Sequence, residues 1–379
     1  MINKKYFVII FFTFVIAFSI GSGEFPLDDT IKTFFIKFSS NDLTKYETID
    51  SLYLETDVKS IINIHDQNDV DEIRNNLKEF IWKENGFSYE RLPSQIENNF
   101  HDKKFDNFIN LQKIDKLTIE MEYGIASISY LLIPNNPNNE LVIYHAGHEG
   151  DFLNGTNIID VLLKNNYSVL IFSMPLYGDN NNPVIVHEKF GKIKMTNHDI
   201  FYFLDSQNFS SIKFFVEPIL TSINYSINSY EFNSVYMIGI SGGAWTATLY
   251  SAIDDRIQKS FPVAGPLPLY LRANNENLGH YEHINPKLYE NANYLDLYIL
   301  GSYGVDREQI KIINKYDSCC HYGITYQTFE DEITNLINSL ESGSFSIFLD
   351  DTHMEHKISE NALDIILKSI KTEKNLINN

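Results

Sequence analysis

From about residue 114 onward, apolar positions recur first with period two and then in short unbroken runs. Leu117, Ile119 and Met121 alternate with Thr118, Glu120 and Glu122, which predicts a strand with one covered face. After a turn at Tyr123-Gly124, Ala126, Ile128, Tyr130 and Leu132 alternate with polar neighbours, so the two runs predict a hairpin. The run at 141–144 is continuously apolar, as expected of a strand buried on both faces, and further strands are read at 167–172, 235–238, 261–264, 310–316 and 345–349. Helical spacing lies between them at 158–163, 212–223 (with Pro218 inside), 329–340 and 358–370. A hairpin followed by repeated strand-helix units predicts an α/β fold, with a mostly parallel sheet flanked by helices.

Upstream the period changes. Val70, Ile73, Leu77, Phe80 and Ile81 fall on one helical face, with Asp69 and Glu72 at the entrance. Residues 24–115 read as a mainly helical extension, and 116–379 as the α/β domain with a polar insertion at about 178–211. The first 23 residues carry Lys4 and Lys5, an apolar run from Tyr6, and the small residues Gly21, Ser22 and Gly23. That order predicts a secretory signal peptide and an exported protein, with an uncleaved membrane anchor as the alternative.

Charge narrows the partners. Thirty basic residues against fifty acidic ones give −20, a surface that repels nucleic-acid phosphates and anionic headgroups. The partner expected is a small-molecule or peptide substrate, with no nucleic acid and no membrane beyond that anchor. The two cysteines, Cys319 and Cys320, are adjacent, so they staple no distant segments, and a disulfide between them would be strained. Asn-x-Ser/Thr triplets begin at Asn154, Asn166, Asn208 and Asn224, and signify glycans only in a eukaryotic source.

The chemistry is concentrated in 234–247, where an apolar strand runs into Gly239-Ile240-Ser241-Gly242-Gly243 and small residues open a helix. A serine on so sharp a turn projects its hydroxyl above the sheet edge. Gly239 and Gly243 remove side chains that would collide across it, and the helix amino terminus favours developing negative charge. This stretch resembles the nucleophile elbow of the α/β-hydrolase superfamily, and the resemblance spans about residues 114–370. It implies a triad of serine, acid and histidine in that chain order, and an acyl-enzyme mechanism needing no cofactor and no metal.

By the same resemblance, the loop after the third strand, His145-Ala146-Gly147-His148-Glu149-Gly150, supplies one oxyanion N–H, assigned to His148 or its neighbour, and Gly242 supplies the other. Met174-Pro175-Leu176-Tyr177-Gly178 is similar to the family's turn beside the active-site mouth. His356, just before the final helix, is the preferred base and His353 the alternative. Asp317, at the carboxyl end of the 310–316 run, is the preferred acid. Asp306 replaces it if 295–300 is the relevant strand.

An ester is the default substrate, and a serine peptidase or amidase the closest alternative. A metal-dependent hydrolase would draw on His145, His148, Glu149, His321, His353, Glu355 and His356, but none of these falls in a recognised zinc spacing. The remaining alternative is a non-catalytic binding protein on the same fold.

Overall fold

The computed structural model describes residues 43–272 and 278–371. The signal-peptide reading therefore lies outside the described residues, and no helix among them is long and apolar enough to cross a membrane. One compact unit begins at Thr44.

Nine strands form one sheet in the order β1-β2-β3-β5-β4-β8-β9-β10-β11. They are β1 (Gln95–Asn98), β2 (Leu111–Glu120), β3 (Ala126–Pro134), β4 (Glu140–His145), β5 (Ser168–Phe172), β8 (Ser234–Ile240), β9 (Ile257–Val263), β10 (Glu308–Asn314) and β11 (Ser344–Asp350). Pairings among β1, β2, β3 and β5 are antiparallel, and all pairings from β5 through β11 are parallel. Every residue of β4 and β5 is buried, which is why their sequences are continuous apolar runs rather than alternating ones. The chain passes from β4 out to β5 and then back across β4 to β8, so strand order reverses beside β4 and β8. Open α/β sheets bind ligands at the carboxyl ends of strands at such a reversal.

Helices cover both faces. α1 (Gln67–Trp82), α3 (Lys213–Ser229), α4 (Gly242–Ile253), α5 (Tyr294–Ser302) and α6 (Glu330–Ser339) contribute to one apolar core; α2 (Thr156–Lys164) and α7 (Glu360–Lys371) contribute to the other. The entrance of α1 is set three residues earlier than the Asp69–Glu72 pattern suggests. Asp66 accepts from the Asn68 and Asp69 N–H groups, and Asp69 reaches back to complete a capping box. α3 runs through Pro218 after a tight first turn in which Lys213, Phe214 and Phe215 bond three residues back.

The 295–300 run is helix, not strand. All nine residues of α5 are buried, and a helix enclosed on every side loses the polar face that would mark its period. Before β2 the described chain is helical up to the 3-10 turn Lys83–Asn85, with one more 3-10 turn at Lys103–Phe105. Between these turns the edge strand β1 pairs with β2, and β2 itself begins at Leu111. The polar insertion carries a two-stranded hairpin, β6 (Val184–His187) with β7 (Gly191–Lys194), then a 3-10 turn over His198–Phe203.

Candidate active site

Ser241 ends β8 at φ 58°, ψ −118° and precedes the first turn of α4. A non-glycine residue rarely adopts this left-handed region, and such strain persists only where the surroundings enforce it. Here its N–H donates to Val263 O at 3.0 Å, while its carbonyl accepts from Ala244 and Trp245 at 3.0 and 3.2 Å. A Cβ on Gly239 would lie 2.0 Å from Gly243 O, and one on Gly243 would lie 2.2 Å from His145 O. Glycine at both positions lets β8, α4 and the end of β4 close on the turn.

The loop after β4 presses on the serine from the side. A Cβ on Gly147 would sit 2.7 Å from Ser241 Cβ and 2.9 Å from Ile240 O. The Ala146 N–H is already spent on Phe172 O at 3.0 Å, so Gly147 is the first residue of this loop whose N–H is free to face a ligand. The His148 ring turns away from the cleft and lies behind Gly242, where a Cβ would meet its Cε1 at 2.4 Å. Gly242 opens α4, and its N–H is one of those a helix leaves without an internal acceptor.

Asp317 and His356 arrive from the loops after β10 and β11. Asp317 is fully buried; its Oδ2 lies 2.8 Å from His356 Nδ1, and its Oδ1 accepts the Cys319 N–H at 2.8 Å. Asn314 Nδ2 donates to Asp317 Oδ2 at 3.3 Å and to Lys357 O at 2.9 Å, tying the two loops together. Since a carboxylate only accepts, His356 Nδ1 carries the proton and Nε2 presents a lone pair. Nε2 is buried with no hydrogen-bond partner among the described residues. Burial alone would pull the pKa of this ring down, but the hydrogen bond to Asp317 and its charge outweigh burial and raise it. Ser241, His356 and Gly147 line one cleft of about 220 Å³, together with Tyr144, Asn157 and Ile158.

The alternatives are placed elsewhere. Asp306 precedes β10 and so stands at its amino end, a strand length of roughly 20 Å from the cleft. His353 is buried with its Nε2 3.4 Å from Asp350 Oδ2. Asp350 also receives the Ser359 and Thr352 hydroxyls. Ser359 in turn accepts the Ala362 N–H at 2.9 Å, capping α7. His145 is buried against Phe172, its Nδ1 2.9 Å from Ala146 O, and burial lowers its pKa to about 4. Cys319 and Cys320 are free thiols. The turn at 174–178 backs the elbow: Met174 Cε lies 3.0 Å from where a Gly242 Cβ would stand.

No protein-family profile matches the sequence, and neither does any curated protein. Solved structures do match in shape. An acetyl xylan esterase from a Paenibacillus species superposes with a TM-score of 0.56 at 11% identity, covering 83% of this chain and 98% of its own. An acetyl xylan esterase from a Thermoanaerobacterium species superposes with a TM-score of 0.54 at 12% identity, covering 86% of this chain and 98% of its own. The fold is that of the α/β hydrolases. Gly147, Ser241, Asp317 and His356 follow the carboxyl ends of β4, β8, β10 and β11.

The sequence motifs left one part of this region unnoticed. His198 from the insertion and Glu282 from the short helix Tyr281–Ile284 converge on His148, with His280 and His283 beside them. The only signal was the density of histidine at 280–283. Nothing in linear order pairs those residues with 148 or 198.

Proposed function

We propose that the protein is a carboxylic ester hydrolase working through an acyl-enzyme on Ser241. The observation that carries this reading is the unpartnered Nε2 of His356, oriented through Asp317, in the cleft that holds the strained Ser241. In the first half-reaction Ser241 Oγ bonds to the ester carbonyl carbon and His356 Nε2 takes its proton. The amides of Gly147 and Gly242 hold the oxyanion, which places the loop donor one residue before His148. As the tetrahedral intermediate collapses, the alcohol leaves with the proton from His356. Water then attacks the acyl-enzyme by the same route in reverse, its proton passing through His356 to Ser241. Asp317 holds the tautomer and stabilises the imidazolium without taking a proton.

The cleft is smaller than the roughly 300–1,000 Å³ of drug-sized sites, and Glu149, Asp151, Asn154 and Lys357 stand on its wall. Those features favour a short acyl group and a polar alcohol, a choice in keeping with the acetyl xylan esterase names of the two structural neighbours. The same reading takes the basic-then-apolar leader as a secretory signal, so that the enzyme acts outside the cytoplasm.

A series of p-nitrophenyl esters tests this proposal. Acetate is expected to be turned over with kcat/KM at least about tenfold above octanoate, and Ser241→Ala to abolish both. Equal rates across the series would remove the short-acyl assignment. Hydrolysis surviving Ser241→Ala would remove the mechanism.

A further inference from the structure

We propose that His148, His198 and Glu282 form a structural binding site for a divalent transition cation of the zinc class, behind the elbow and separate from the cleft. The three residues come from segments far apart in sequence: the loop after β4, the insertion, and the Tyr281–Ile284 turn. His148 Nε2 lies 2.8 Å from Glu282 Oε1 and 3.3 Å from His198 Nδ1, and His198 Nδ1 lies 3.1 Å from Glu282 Oε2. Donor atoms about 2.0–2.2 Å from a tetrahedral zinc stand roughly 3.3 Å from one another, so the triangle has nearly the required size.

The tautomers support a cation at its centre. His198 Nε2 is 2.8 Å from Pro175 O. A carbonyl can only accept, so Nε2 carries a proton, and Nδ1 is the nitrogen left to face the cluster. A ring N–H held by a backbone carbonyl, which leaves the other nitrogen for the ion, is the arrangement that orients metal-binding histidines. Glu282 is fully buried. Two imidazole nitrogens and one carboxylate are a ligand set for zinc rather than for an oxygen-seeking cation such as calcium.

Two further groups complete the surroundings. His283 Nε2 is buried, has no hydrogen-bond partner among the described residues, and lies 3.4 Å from Glu282 Oε1. The His280 ring is 4.3 Å from the His148 ring on the exposed side, leaving a fourth position for that imidazole or water and a path of entry. None of His148, His198 and Glu282 lines the Ser241 cleft, so the ion does not activate the attacking water. It clamps the β4 loop from behind, in the segment where Gly147 meets Ser241.

The test is metal content and melting of the full purified chain. After exposure to Zn²⁺ and desalting, about one zinc per chain is expected by plasma mass spectrometry, and a chelator should lower the melting midpoint. Calcium at the same concentration should restore neither. Glu282→Gln keeps the shape of the side chain while removing its charge, and His198→Ala removes a ligand. Both should weaken zinc binding by about 100-fold or more, beyond what loss of an outer partner costs. If neither variant folds, the chelator and zinc titration of the native chain decides. Zinc below one-tenth per chain, with a midpoint indifferent to chelator and zinc, would overturn the site. So would unchanged zinc affinity in folded Glu282→Gln.

Discussion

Asp317 Oδ2 stands 2.8 Å from His356 Nδ1, joining the loops that follow the adjacent parallel strands β10 and β11. This contact fixes which nitrogen of the ring faces the cleft, and it raises the histidine pKa against the pull of burial. A general base works unprotonated, so kcat/KM should fall on the acid side with a midpoint above the ordinary histidine value of about 6.5. In Asp317→Asn the midpoint should drop and kcat should fall by about 10⁴-fold, the order seen when such an acid is replaced. The pair's contribution to stability has the opposite pH dependence: it is full below the unfolded-state pKa and declines as pH rises through the higher folded-state value. A pH–rate profile of both proteins, with melting curves across the same range, checks both signs.

His353 and His356 should separate cleanly on substitution. His356→Ala removes the base, and kcat should fall by several orders of magnitude. His353→Ala takes a ring away from Asp350, which keeps its bonds to Ser359 and Thr352. That variant should retain kcat within about tenfold and lose about 1–3 kcal/mol of stability from the vacated buried position. Paired kinetics and urea melts distinguish the two.

Gly147→Ala should damage catalysis more than folding. Its methyl would stand 2.7 Å from Ser241 Cβ, so the loop must retreat from the serine and the oxyanion amide with it. Loss of one such donor costs about 10²–10³-fold in kcat. Gly239→Ala, whose methyl would meet Gly243 O at 2.0 Å, should instead lower stability by about 1–3 kcal/mol or more. Measuring kcat and the urea midpoint on each variant tests that division.

Cys319 should be the reactive thiol. It is exposed, and a hydrogen bond from Cys320 brings its pKa down to about 7 despite partial burial, while the Cys320 thiol is pushed up. Iodoacetamide should modify Cys319 first, with a rate that rises through about pH 7. Peptide mapping of the alkylated protein gives the order of modification.

The sheet and the elbow were legible because their residues obey local rules: doubly buried strands read as apolar runs, and a turn as tight as that at Ser241 demands glycines on either side. Asp317 was legible from its place at the end of a run, and His356 from its place before the last helix. α5 was ambiguous because total burial of 294–302 erases helical period. The His148–His198–Glu282 cluster was invisible for a different reason. Its members meet only after the insertion and the 281–284 turn fold over the β4 loop, and no spacing in the sequence encodes that meeting.

The proposed mechanism stands or falls on Ser241 Oγ as the nucleophile of an acyl-transfer site. Reaction with a fluorophosphonate, followed by intact-mass measurement and peptide mapping, tests it most directly. One adduct per chain is expected, located on Ser241 and missing from Ser241→Ala, with labelling slowed sharply in His356→Ala. An adduct mapping to another residue, or labelling undiminished in Ser241→Ala, would contradict it.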